Sequence, residues 1–87
     1  MILANSLVLV YPNPVKGSIN FSLKQYAGGD LYITLTSNNG KIIHRETIKA
    51  AQAGITYTLN TAKPSAGFYV LHVKGESLSE SIKVVVQ

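Results

Sequence analysis

Apolar and polar residues alternate along this chain in short runs, and each run is cut off by glycine, proline or asparagine. An alternation of period two puts every second side chain on one face of an extended strand, so it suits a half-buried sheet and no helix. Seven such runs can be marked. The first, Leu7 to Tyr11, stops at Pro12-Asn13-Pro14, where two prolines remove backbone donors and hold the residues before them extended. Gly17 opens the second, Ser18 to Leu23, with Ile19, Phe21 and Leu23 on one side. After Gly28-Gly29-Asp30, the run Leu31 to Thr36 sets Leu31, Ile33 and Leu35 against Tyr32, Thr34 and Thr36. Asn38-Asn39-Gly40 predicts a hairpin into Lys41 to Ile48, because asparagine and glycine tolerate the positive φ of tight turns. Ala51 to Gly54 leads into Ile55 to Leu59, where Ile55, Tyr57 and Leu59 share a face. Pro64 to Gly67 opens Phe68 to Val73, with Tyr69, Leu71 and Val73 inward. The last run, Glu80 to Val86, carries Ile82, Val84 and Val86 on one side.

Short strands joined by turns, with no helical period, predict an all-β fold: a seven-stranded Ig-like antiparallel β-sandwich whose two sheets cover one core. At 87 residues the chain is one domain, burying roughly 60–65% of its unfolded surface. It has no cysteine, which excludes a disulfide framework and a thiolate metal site, so packing and sheet hydrogen bonds must hold it. Apolar stretches such as Leu7 to Val10 and Val84 to Val86 fall far short of the roughly 20 residues of a membrane-spanning helix. No membrane-spanning segment is expected. Met1 to Ser6 lacks the basic and apolar segments of a signal peptide. It reads as an added start or linker remnant before a single domain over residues 7–87, with the natural chain continuing upstream.

Net charge is +4, but Lys16, Lys24, Lys41, Arg45, Lys49, Lys63, Lys74 and Lys83 are spread singly, without the stripe of a nucleic-acid reader. No nucleic-acid partner is expected. No catalytic constellation stands in the sequence: His44 and His72 are the only histidines and read as exposed strand positions, while Asp30, Glu46, Glu76 and Glu80 are scattered. There is no nucleophile elbow and no phosphate-cradling glycine loop. The expectation is a non-enzyme with no catalytic, cofactor-binding or metal-binding residue.

One ordered set of residues goes further. Tyr11-Pro12-Asn13-Pro14, then Gly17, then Asn39-Gly40-Lys41, then Gly67-Phe68-Tyr69, and finally Lys83 before Val84-Val85-Val86 resembles the C-terminal sorting domain, type A, of the type IX secretion system. The resemblance covers roughly residues 8 to 87. It implies a Gram-negative bacterium of the Bacteroidetes group and a domain that directs an upstream cargo through the outer membrane, after Sec export has brought it to the periplasm. The implied partners are the type IX translocon and sortase proteins. In the family the sortase commonly removes the domain and joins the cargo to an anionic lipopolysaccharide, or the cargo is released at the surface or outside the cell. Cargoes there are often proteases, glycanases or adhesins. Two positions depart from the family pattern: Pro64 stands where leucine is usual, and Lys83 stands alone in a terminal strand usually richer in lysine.

Several motif residues also have local reasons to be what they are. The prolines make a rigid turn that fixes how the first strand leaves the cargo. Gly40 suits a hairpin, and Gly67 with Tyr69 suits a strand start whose ring is buried and whose hydroxyl bonds at the rim. Ile82, Lys83, Val84, Val85, Val86 and Gln87 are the expected recognition strand, since a terminal strand can detach or offer its edge to strand addition. The rival readings are a small carbohydrate-binding module using Tyr11, Tyr26, Tyr32 and Tyr57, or a fibronectin-like spacer of a secreted enzyme.

Overall fold

The computed structural model describes residues 8–11, 14–24, 28–61, 64–76 and 78–87. Seven strands form among them: β1 (Val8–Tyr11), β2 (Asn20–Leu23), β3 (Leu31–Ser37), β4 (Ile42–Ile48), β5 (Thr56–Thr58), β6 (Gly67–Lys74) and β7 (Ser79–Val86). Each lies within two residues of a predicted run. The segment Met1 to Ser6, together with Pro12, Asn13, Tyr26 and Lys63, lies outside the described residues.

The strands make two antiparallel sheets, a three-stranded one in the order β1-β2-β5 and a four-stranded one in the order β4-β3-β6-β7. Between them lies the predicted alternation. Ile19, Phe21 and Leu23 face Leu31, Ile33, Leu35, Tyr69, Leu71, Val73, Val84 and Val86 across one core, with Val10, Ile48, Tyr57 and Ile82 packed at its margin. Phe21 is fully buried and meets the Tyr57 ring at 5.7 Å between centroids, tilted by 32°, a separation usual for aromatic pairs. Burying each such side chain contributes roughly 1.5–3 kcal/mol, so this stripe supplies most of the driving force a cysteine-free domain has. No polar or charged side chain is buried among the described residues.

Three details differ from the sequence reading. Ile55 is 44% exposed and does not share the inner face with Tyr57 and Leu59. It precedes the first paired residue of a three-residue strand and follows Gly54 at φ +83°, so the pleat does not fix its side. The hairpin after β3 holds only one positive φ, at Gly40 (+89°). Gly40 N donates to Ser37 O at 3.0 Å, and Ser37 N donates to Lys41 O at 2.8 Å, a type I turn followed by a left-handed glycine. Finally, β4 stays beside β3, whereas a constant-type immunoglobulin sandwich puts its fourth strand beside the fifth. The predicted seven-stranded antiparallel sandwich is observed, with β4 in the four-stranded sheet.

Both edges of the four-stranded sheet are guarded. On β4 the inward positions opposite Leu35 and Ile33 are His44 and Glu46, and a bulge at Ile43 interrupts the register. Glu46 Oε1 accepts from Asn60 N and from the His44 ring, each at 2.9 Å, which closes the rim of the sandwich with a polar pair. An inward charge and a bulge both discourage edge-to-edge pairing. At the other edge, Val15 forms a parallel bridge with Val86.

Candidate functional site

The motif residues lie far apart in sequence, and five of them, Gly40, Lys41, Gly67, Tyr69 and Lys83, meet at one end of the four-stranded sheet, whereas Tyr11 lies on the other sheet. Register explains how. Gly67 pairs with Val86 and Tyr69 with Val84, so the Gly-x-Tyr motif lies directly against the terminal strand. Ser37 pairs with Tyr69, which brings the Asn39-Gly40-Lys41 turn to the same end. The residue after the Tyr-Pro-Asn-Pro motif, Val15, completes the group from the opposite side. Its N–H donates to Val85 O at 2.6 Å and its carbonyl accepts from Gln87 N at 2.9 Å. The last residues of β7 therefore sit between β6 and Val15.

Each residue is held for a definite reason. Tyr69 is 8% exposed and its hydroxyl donates to Ser65 O at 2.6 Å, which ties the strand to the loop before it as a tyrosine corner does. Gly67 adopts φ +152°, which L-residues rarely adopt, although a Cβ there would meet nothing within 4 Å. Lys41 is exposed, and its backbone N donates to Ser37 Oγ at 3.2 Å and Asn39 Oδ1 at 3.3 Å, while the Ser37 hydroxyl itself donates to Asn39 Oδ1. Tyr11 ends β1 on the outer face of the three-stranded sheet and shares a hydrogen bond of 2.6 Å with Thr56 Oγ1. Pro12 and Asn13 lie outside the described residues, and Pro14 is exposed. Gly17 is exposed with open space where a Cβ would go, so its backbone has no need of glycine. In the terminal strand Val84 and Val86 are core, Ile82 and Val85 half-buried, Lys83 and Gln87 exposed. Pro64 is half-buried in the coil before β6.

Two features of this end were missing from the sequence reading. Val15 is fully buried, and its only signal was an apolar residue between proline and lysine. Phe68, at 51% exposure, points outward with the Lys83 ammonium 4.5 Å from its ring centroid. Together with Asn38, Tyr69 and Val70 they line an open, mostly apolar depression of about 350 Å³.

The histidines are half-buried and bonded rather than exposed: His44 to Glu46, and His72 to Thr36 Oγ1 at 3.2 Å and Ser81 Oγ at 2.9 Å. No three His, Asp or Glu side chains gather to hold a metal among the described residues. No helix among them is long and apolar enough to cross a membrane. The tyrosines among the described residues do not make one platform. Tyr11 and Tyr32 lie on opposite outer faces, and Tyr57 turns inward against Phe21, accepting from Gln52 N at 2.8 Å.

No curated protein matches the chain. The family model described as the secretion system C-terminal sorting domain matches residues 9–87, which takes in every motif residue named above. With the fold, the register of the motifs and that match in hand, the chain belongs to the family of type IX secretion C-terminal sorting domains.

Proposed function

We propose that this domain directs an upstream cargo protein across the outer membrane by being recognised, as a folded unit, by the type IX machinery. Family membership supplies the coarse part: a C-terminal sorting signal, secretion toward the cell surface or the extracellular space of a Gram-negative bacterium, and a generally non-catalytic domain. The finer part is ours. The cargo passes through the periplasm, the translocon meets the domain there, and a sortase then removes the domain and replaces it with a surface anchor. The single observation supporting recognition at the C-terminal strand is the convergence of Gly67, Tyr69, the Asn39-Gly40-Lys41 turn and Val15 around Val84 to Gln87.

The carbohydrate-binding reading has no aromatic platform among the described residues to rest on. A spacer would show no dependence on a secretion system. The test is a Sec-exported fluorescent reporter with and without residues 1–87 fused behind it, expressed in a host with a type IX system. Surface or medium fluorescence only with the domain attached is the expected result. Periplasmic retention of both would refute the proposal.

A further inference from the structure

The outward side of the four-stranded sheet is assembled from residues that alternate with the core. Cross-strand partners share a face, so the register defines it: Thr47, Tyr32, Lys74 and Ser79 in one row, Arg45, Thr34, His72 and Ser81 in the next, then Ile42, Thr36, Val70 and Lys83, and at the end Phe68 with Val85. Three cations stand on this face, and all four carboxylates of the chain are elsewhere. Glu46 points to the sandwich rim, Glu80 pairs with inward Val73, Asp30 is bonded to Lys49, and Glu76 sits in the turn at the far end.

Strand addition at the end of β7 is not open to a partner, because Val15 already occupies the backbone groups of Val85 and Gln87 on that side. What the terminal strand presents instead is its outer face. There Lys83 and Val85 flank exposed Phe68 at the apolar depression, at the end where the motif residues meet.

Resting on the export reading, we infer that Phe68, Val70, Lys83 and Val85 form the docking surface for a protein partner of the export machinery that presents an apolar side chain beside a carboxylate. Charge complementarity selects that chemistry: the charges carried by the face itself are Arg45, Lys74 and Lys83, with Lys83 beside the depression, and the exposed Phe68 ring there calls for an apolar counterpart. A large ring that becomes buried at the centre of an interface is the kind of anchor that supplies much of its energy.

The test uses the reporter fusion carrying Phe68→Ala, Lys83→Glu or Lys83→Arg, with Leu9→Ala and Lys24→Glu as controls on exposed positions outside this face. Thermal melting of each purified 87-residue chain checks folding. Phe68→Ala and Lys83→Glu should each cut delivered reporter by about tenfold, with Lys83→Arg and both controls within about twofold of the parent. Delivery of folded Phe68→Ala and Lys83→Glu at the parental level would overturn the docking surface while leaving the export reading intact. A parent that is not delivered removes both. If Phe68→Ala melts early, the Lys83 pair decides alone. A purified chain that dimerises, and is made monomeric by Phe68→Ala, would assign the face to a second copy and overturn the inference.

Discussion

Among the described residues Ala50 is the only non-glycine with a positive φ, +51°, a conformation that costs an L-residue roughly 1–2 kcal/mol. The cause is distant: Asp30 Oδ1 accepts from Ala50 N at 3.2 Å and Asp30 Oδ2 from Lys49 Nζ at 3.0 Å, which bends the chain as it leaves β4. Replacing Ala50 with glycine removes the steric cost and adds some unfolded-state freedom, for a net gain of about 0.5–1 kcal/mol. Thermal melting should show it as a rise of about 4 °C in a domain this size. Gly67→Ala is the mirror case, losing about 1–2 kcal/mol through φ +152° although no atom stands within 4 Å of the new Cβ. The Lys49 and Ala50 hydrogen bonds hold the Asp30 carboxyl below its ordinary 3.8, and the same pairing raises Lys49 above 10.5. A lowered carboxyl stabilises the fold fully above its unfolded value and loses that contribution as pH falls through the folded one. A raised lysine does the opposite, losing its contribution as pH rises through the folded value. The melting gap between parent and Asp30→Asn should therefore be widest near neutrality and close as pH falls below the ordinary carboxylate range. A gap that stays constant with pH would contradict the pairing. Gly40 was legible in the sequence because its turn is local. Ala50 was not, because the residue that imposes its conformation lies 20 positions away.

Strands were legible wherever an alternation ran long enough to assign a face, as in β3 with Leu31, Ile33 and Leu35 all inward. Where pairing is brief or irregular the pattern fails. Ile55 precedes a strand of three residues, and β4 turns His44 and Glu46 inward past a bulge. Val15 makes a single bridge to a residue far along the chain and leaves no period to read. It nevertheless holds β7. Val15→Ala should cost about 2 kcal/mol in urea denaturation, from lost burial and the small cavity left behind. A change below measurement error would show that burial of the Val15 side chain contributes little. The terminal strand, expected to detach easily, is instead integral to the sandwich. Removing Ile82 to Gln87 deletes five of the eight β6–β7 register pairs and takes Val84 and Val86 out of the core. Those two side chains alone represent roughly 3–6 kcal/mol of burial, against a total stability of about 5–15 kcal/mol. The truncated chain should lose its β-sheet circular dichroism at room temperature. A truncation that melts like the parent would mean that β7 adds little to the fold.

The molecule as a whole explains why the Asn-Gly-Lys turn, the Gly-x-Tyr motif and the terminal strand are scattered in sequence and adjacent in space. A sandwich pairs strands through register, so Gly67, Tyr69 and the Asn39-Gly40-Lys41 turn reach one sheet end only when β3, β6 and β7 align. Single-strand periodicity carries the faces but not the order of strands. Both the sandwich and the family resemblance were therefore readable beforehand, whereas the clustering, the Val15 clamp and the Phe68–Lys83 surface were not. Because the last residues of β7 are locked into the core and clamped on their free side, truncation cannot separate a recognition role from a structural one. The domain must be tested folded. The most direct measurement is delivery of the Sec-exported reporter carrying residues 1–87, compared between a host with an intact type IX translocon and the same host with the translocon deleted. Surface or medium fluorescence that requires the translocon, with periplasmic retention in its absence, is the predicted result. Equal delivery in the two strains, or retention in both with the domain shown to be folded, would contradict the sorting function.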